Sequence, residues 1–220
     1  MLPTLSHVDV WIFDLDLTLY GPEHGIMDQV RGRIAEYVER FFAVDSDRAH
    51  QIRHDYWRKY GTTLGGLMAE HDIDPHSYLD FVHDVDLALL QPCPILRDGI
   101  VALPGRKLIF TNADAPYGRR VLQVRGLDDV FEDMFDIHLM EHRPKPDPVS
   151  YAKMCAAFEI DPRRALFIED SVHNLEPAKA LGMTTVWVNH EPTGECPSFV
   201  DHEITDLTQW LVELKEPQSA

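Results

Sequence analysis

The sequence predicts an α/β fold: a Rossmann-like three-layer core with a parallel sheet, plus a small α-helical cap domain inserted after the first strand. Three observations predict it. An apolar run at residues 8–13 stands alone near the N-terminus. From Leu96 onward, short apolar runs alternate with helical stretches, the pattern of βαβ units and a parallel sheet. Between the two lies a block, about Met27 to Leu90, whose apolar residues recur only at three- and four-residue steps. The domain organisation that follows is a core over residues 1–20 and 95–220 and a cap over residues 21–94.

Each element has its own signal. The first strand is read over residues 8–20, from Val8, Val10, Trp11, Ile12 and Phe13 into Asp14, Asp16 and Thr18. Residues i and i+2 of an extended segment point the same way. Asp14 and Asp16 are therefore expected to face one ligand together, one as nucleophile and the other as acid/base. Alone, such a pattern is also an ordinary turn signal. In the cap, Val30, Ile34, Val38 and Phe41 mark one helical face, and Tyr78, Phe81, Val82, Val85 and Leu89 another. Gly21-Pro22 on one side and Pro92, Pro94 and Gly99 on the other break the chain at the cap's edges, two joints that suit a hinged lid. Between helical patterns, Tyr60, Thr62 and Thr63 form a polar, glycine-flanked turn. It is either a loop that reaches the substrate or a helix–helix connection with Thr63 as N-cap. In the core, residues 107–110 form the second strand and lead into Thr111-Asn112. Residues 135–139 form a third, and residues 165–168 a fourth that leads into Glu169-Asp170. Thr184–Val188 follows Gly182, a helix C-cap. A last strand near His202–Ile204 precedes a helix over residues 207–214 and a polar tail.

Composition narrows the function. The formal net charge of −17 argues against nucleic-acid polymers and anionic membranes, which need a basic face. A divalent cation on the same carboxylates would reconcile that charge with an anionic small substrate. No apolar run approaches the ~20 residues of a membrane helix. Residues 1–4 carry neither a basic nor an apolar leader pattern. Three scattered cysteines suggest no disulfide framework, as in a reducing cytosol, so a cytoplasmic location is expected. Twelve histidines show no metal-ligand spacing. Oligomeric state is not readable.

In a parallel sheet, four strand-end elements share one edge: Asp14/Asp16/Thr18, Thr111-Asn112, Lys145 between Pro144 and Pro146, and Glu169-Asp170-Ser171. The flanking prolines stiffen the loop that presents Lys145. A nucleophile, a second carboxylate, a hydroxyl with a free amide, a cation and an acidic pair together match phosphoryl transfer. That reaction needs positioning and charge neutralisation above all.

Over essentially the whole chain, this ordered set resembles the haloacid dehalogenase superfamily of aspartate-nucleophile hydrolases. The resemblance implies that Asp14 attacks phosphorus and that Asp16 acts as general acid and then base. It implies that Thr111, the amide of Asn112 and Lys145 bind the phosphoryl group. It also implies that Asp14, the carbonyl of Asp16 and Asp170 hold Mg²⁺, with Mn²⁺ suited to the same ligands. Glu169 stands where many relatives have Asp, and ligates directly or through water. Retention of Asp16 and the acidic pair sets the chain apart from the metal-free dehalogenases. Lys59 sits in no setting that suggests a Schiff base. A phosphomonoesterase is the natural reading; a phosphomutase, a broad sugar-phosphate or phosphoglycolate-type phosphatase and a non-catalytic relative are its alternatives. The stretches from Thr18 to Tyr20, Tyr60 to Leu67, Phe81 to Asp84, Phe110 to Ala113, Arg143 to Pro148 and Ala180 to Val186 resemble the pyrimidine 5′-nucleotidase branch. That implies hydrolysis of UMP- or CMP-like monophosphates. Tyr20, Tyr60, Thr62 and Thr63 are then the candidate substrate contacts, and a small phosphorylated metabolite or nucleotide is the partner.

Overall fold

The computed structural model describes residues 5–192 and 194–215. The stretch at residues 1–4 read for a leader and the polar tail at residues 216–220 lie outside the described residues. Six strands form one sheet: β1 (Val10–Phe13), β2 (Arg106–Phe110), β3 (Asp133–Phe135), β4 (Ala165–Glu169), β5 (Thr184–Val188) and β6 (His202–Ile204). Their order is β3-β2-β1-β4-β5-β6, and every neighbouring pair is parallel. All four residues of β1 are buried, as a strand covered on both faces requires. Alternation along the strands splits the core into two layers. Val10, Ile12, Leu108, Phe110 and Phe167 pack on one face with Tyr151 and Met154 of α7 (Pro148–Ala157). Trp11, Phe13, Ile109, Leu166 and Ile168 pack on the other. Their partners there are Leu96 of α5 (Pro94–Val101), Tyr117 and Val121 of α6 (Ala115–Arg125) and Leu211 of α9 (Leu207–Lys215). The remaining core helix, α8, spans Leu175–Ala180.

The cap lies between β1 and β2 in the chain and holds four helices: α1 (Ile26–Phe42), α2 (Ser46–Tyr60), α3 (Thr63–His71) and α4 (Pro75–Val82). Side-chain caps start three of them. Asp45 accepts from the Arg48 amide, Thr62 from Gly65, and Asp74 from His76 and Ser77. Tyr37 of α1 meets Tyr78 and Phe81 of α4 edge-on, with centroids at 4.8 and 5.5 Å. The chain's exit from and return to the core are tied together by one buried side chain. The Arg125 guanidinium donates to the carbonyl of Leu19 (3.1 Å) on the outgoing segment and to that of Gln91 (2.7 Å) on the returning one.

Three boundaries differ from the sequence reading. The first strand stops at Phe13 rather than running to residue 20, because the chain turns at once: Leu17 has φ 58° and the Leu19 amide bonds Leu15. Helical structure ends at Val82, so Val85 and Leu89 are not helical. The segment there is pinned instead by Gln29, whose side-chain amide exchanges two hydrogen bonds of 2.9 Å with the backbone of Asp86. The third strand is Asp133–Phe135, not residues 135–139. Asp136 turns the chain by accepting from the amides of Ala115 and Leu139.

Candidate active site

Sheet topology places the site. β1 lies between β2 and β4, with Phe13 level with Ile109 and Ile168. The next residue on each strand or loop therefore emerges along one carboxyl edge, where ligands bind in open α/β sheets. Asp14 is anchored there by its amide, which donates to the Ile168 carbonyl at 2.9 Å.

Lys145 reaches this edge from the loop between β3 and α7. Asn112 fixes the loop by a two-point contact: its Oδ1 accepts from the Lys145 amide (2.8 Å) and its Nδ2 donates to the Lys145 carbonyl (3.2 Å). The Lys145 ammonium then donates to Asp14 Oδ1 (2.6 Å), Glu169 Oε2 (2.6 Å) and the Phe110 carbonyl (2.8 Å), which occupies all three of its protons. Its Nζ also lies 5.2 Å from the centroids of the Phe110 and Phe167 rings. Burial pulls the Lys145 pKa down, but Asp14 and Glu169 outweigh it and hold it above the ordinary lysine value.

One ammonium faces three carboxylates. Oxygens of Asp14, Glu169 and Asp170 lie within 4.8 Å of one another. Burial, then the charge of Glu169, pushes the Asp14 carboxyl up to about 8, with Lys145 acting in the opposite sense. Burial, then Glu169 and Asp14, pushes Asp170 up to about 10. A hard divalent cation fits this all-oxygen, excess-negative cluster. Both oxygens of Glu169 accept, Oε2 from Lys145 and Oε1 from the Ser171 amide at 3.0 Å, and Asp14 Oδ2 accepts from the Thr18 hydroxyl at 3.5 Å.

Asp14 and Asp16 do not turn to the same partners, against the expectation drawn from an extended strand. The strand ends before them. Asp14 faces Lys145, while Asp16 Oδ1 accepts from the hydroxyl of Tyr20 and, at 2.8 Å, from that of Tyr117. The side chain of Asp16 is also outside the acidic trio. Burial first, then the Asp16 charge, holds both phenols well above the ordinary tyrosine range. The Tyr117 ring stacks on the His83 imidazole (centroids 4.4 Å apart, planes at 17°), and His83 Nδ1 pairs with Asp114 Oδ1 at 2.5 Å. Tyr117 and Asp114 carry no local motif that would have marked them in the sequence. Tyr20, expected as a substrate contact, is buried with its hydroxyl engaged by Asp16 and Tyr117.

The other expected substrate contacts have local partners. The Tyr60 hydroxyl donates to Glu70 at 2.7 Å. Thr62, not Thr63, is the N-cap of α3; Thr63 is its first residue. Among the described residues, none of the three is hydrogen-bonded to the carboxylate cluster. The buried Thr111 hydroxyl accepts from the Ala113 amide at 3.0 Å. A cavity of about 440 Å³ lined by Arg33, Phe81, His83, Tyr117 and Arg120 reaches the site through Tyr117. A second, of about 350 Å³, reaches it through Asp170 and Leu17.

Residues 8–182 match the model of the haloacid dehalogenase-like hydrolases. The chain belongs to this hydrolase family. Among characterised relatives, it is 26% identical to phosphate metabolism protein 8 of Saccharomyces cerevisiae over 79% of its own length and 59% of that protein's. It therefore spans about three fifths of that relative. It is 24% identical to the glyceraldehyde 3-phosphate phosphatase of Pyrococcus furiosus, over 96% of this haloacid dehalogenase-like chain and 95% of that one. Among solved structures, the HAD phosphatase of Thermococcus onnurineus shares the fold with a TM-score of 0.63 at 20% identity, covering 96% of this chain and all of that one. The HAD-hydrolase YfnB of Bacillus subtilis, solved bound to magnesium, gives 0.62 at 16% identity, over 95% and 99% of the two chains.

Proposed function

We propose that the protein is a Mg²⁺-dependent phosphomonoesterase that works through an aspartyl-phosphate on Asp14. One observation carries the reading: a buried lysine is locked onto Asp14 where three carboxylates converge at the carboxyl edge of a parallel sheet. The phosphatase names of two relatives, a glyceraldehyde 3-phosphate phosphatase and an enolase-phosphatase, support the same chemistry.

Lys145 orients Asp14 and offsets its charge. A carboxylate oxygen of Asp14 attacks phosphorus as the bond from phosphorus to the ester oxygen breaks. Asp16, as the acid, gives its proton to that departing oxygen, and the alcohol leaves. A water then attacks the phosphorus of the aspartyl-phosphate while Asp16, now the base, takes its proton, and Asp14 is released with inorganic phosphate. Thr111 and the Asn112 amide hold phosphoryl oxygens. Asp14 and Asp170, with Glu169 and the carbonyl of Asp16, would hold the cation, with Mn²⁺ suited to the same oxygens. When bound, it neutralises charge on Asp14 and on the phosphoryl oxygens.

We assign chemistry to the core (residues 1–20 and 95–220) and selection to a hinged cap (residues 21–94). Pyrimidine nucleoside 5′-monophosphates are the proposed substrates, on the resemblance of the stretches around Tyr20, Tyr60 and Asn112. A broader sugar-phosphate specificity is the second reading, favoured by the near full-length match to a glyceraldehyde 3-phosphate phosphatase. Three free cysteines fit a reducing, cytoplasmic location. The test is phosphate release from UMP, CMP, AMP, glucose-6-phosphate, phosphoglycolate and p-nitrophenyl phosphate, with Mg²⁺ or EDTA, beside Asp14→Asn. Metal-dependent release concentrated on UMP and CMP is expected. Even activity across the panel would leave the second reading, and no release from any substrate would overturn the phosphomonoesterase.

A further inference from the structure

We propose that Tyr20 and Tyr117 form a two-hydroxyl clamp that fixes Asp16 through one carboxylate oxygen and leaves the other to carry the proton. The inference rests on the acid/base role proposed for Asp16.

The geometry selects the oxygen. Both hydroxyls donate to Oδ1, and among the described residues Oδ2 has no hydrogen-bond partner. The two tyrosines come from different places, one from the turn after β1 and one from α6, yet their hydroxyls lie 3.1 Å apart over the same oxygen. Each phenol has a single proton. With both protons directed at Asp16, neither tyrosine is free to donate to a departing oxygen, so these are positioning residues. A carboxylate on a free side chain rotates about two bonds; one held by two donors from separate elements presents Oδ2 in a single direction. Misplacement of a catalytic group by about 1 Å can cost 10²-fold in rate, so such fixing is worth having.

The clamp is itself rigidly backed. Both rings are buried, at 3% and 1% exposure. Tyr117 lies flat against His83, which is paired with Asp114 at the start of α6, and the His83 carbonyl accepts from Arg120 one turn along the same helix. His83 is the C-terminal cap of α4, so the cap presses on the face of the ring whose hydroxyl holds Asp16. A purely structural pair of buried tyrosines would satisfy the same hydroxyls. The two roles differ in what they do to the reaction: only a misoriented acid penalises a poor leaving group more than a good one.

The experiment uses the full chain with Mg²⁺ and compares kcat/KM for phenyl phosphate and p-nitrophenyl phosphate, the second having the better leaving group. Variants are Tyr117→Phe, Tyr20→Phe, the pair and Asp16→Asn, with thermal melting measured alongside. Removing one oxygen leaves each ring in place, and should either single variant fail to fold, the other reads the same quantity. General acid catalysis contributes about 10²–10⁴-fold, so each single variant is expected to lose about 10-fold on phenyl phosphate and less than about 3-fold on p-nitrophenyl phosphate. The loss falls in kcat with KM unchanged, and the pair approaches Asp16→Asn. Equal losses on both substrates, or none, would overturn the clamp while leaving the acid role of Asp16 standing. A leaving-group-independent Asp16→Asn would overturn that acid role and the clamp with it.

Discussion

At the residue scale, the centre of this molecule is one ammonium among carboxylates. Lys145 is almost wholly buried and makes three charge-assisted or carbonyl contacts, so nothing else nearby can replace it. Breaking a buried ion pair by deleting one partner costs about 3–5 kcal/mol, because the remaining charge is left unpaired in low dielectric. Lys145→Met is therefore expected to lose stability in that range in urea denaturation. The loss should grow as pH rises and Asp14 is pressed to ionise. The same carboxyls govern metal binding. Asp14 and Asp170, raised to about 8 and about 10, hold protons near neutral pH, and a divalent cation takes their ionised forms. Titration calorimetry of Mg²⁺ in buffers of different ionisation enthalpy should show proton release on binding, and affinity that weakens as pH falls. Asp14, Lys145, Glu169 and Asp170 were legible in the sequence because each follows an apolar strand or sits in a proline-stiffened loop. The Tyr20–Asp16–Tyr117 contact was not, because Tyr117 lies 101 positions from Asp16 and shares no spacing with it or with Tyr20.

At the element scale, the parallel sheet was legible because its strands are short apolar runs between helical patterns. Their ends were less so. Leu17 adopts φ 58° without being glycine, and Asp136 turns the chain through its side chain. Neither event has a hydrophobic pattern to announce it. The cap's helices were legible as periodicity, but the close fit of α2 on α3 was not. Gly66 lies against the Tyr56 ring so tightly that a Cβ there would come within 2.3 Å of it. Overpacking of this kind costs about 1–3 kcal/mol. Gly66→Ala is expected to lower the thermal midpoint by that equivalent, and a combined Tyr56→Leu to recover part of it. An unchanged midpoint would show that α3 can shift away from α2 freely.

At the scale of the whole molecule, the acidic centre sets the pH response. In the unfolded chain Asp14 and Asp170 return to the usual 3.8, so above the range where ordinary carboxyls titrate, and up to about 8, these two keep protons in the folded, metal-free protein that they lose in the unfolded one. Their contribution to stability then falls as pH rises through that window, opposite to the usual behaviour of paired carboxylates, while His142 and His202, whose burial lowers their pKa, act in the other sense. Thermal melts in EDTA should show Asp170→Asn raising the midpoint relative to the unaltered chain by an amount that grows as pH rises toward about 8. Saturating Mg²⁺ should shrink that difference, since binding to the folded state alone offsets the cost of ionisation.

The arginine that grips both connectors has a consequence for how such a molecule can diversify. Arg125 holds the carbonyls of Leu19 and Gln91 side by side, so the insertion begins and finishes at one fixed point on the core. Any helical module that leaves and returns through that point would sit above the same unaltered carboxylates. On the proposed division, in which the cap selects, change in what is recognised is thereby uncoupled from change in what is done to it, as the head of a tool is exchanged while the grip stays the same.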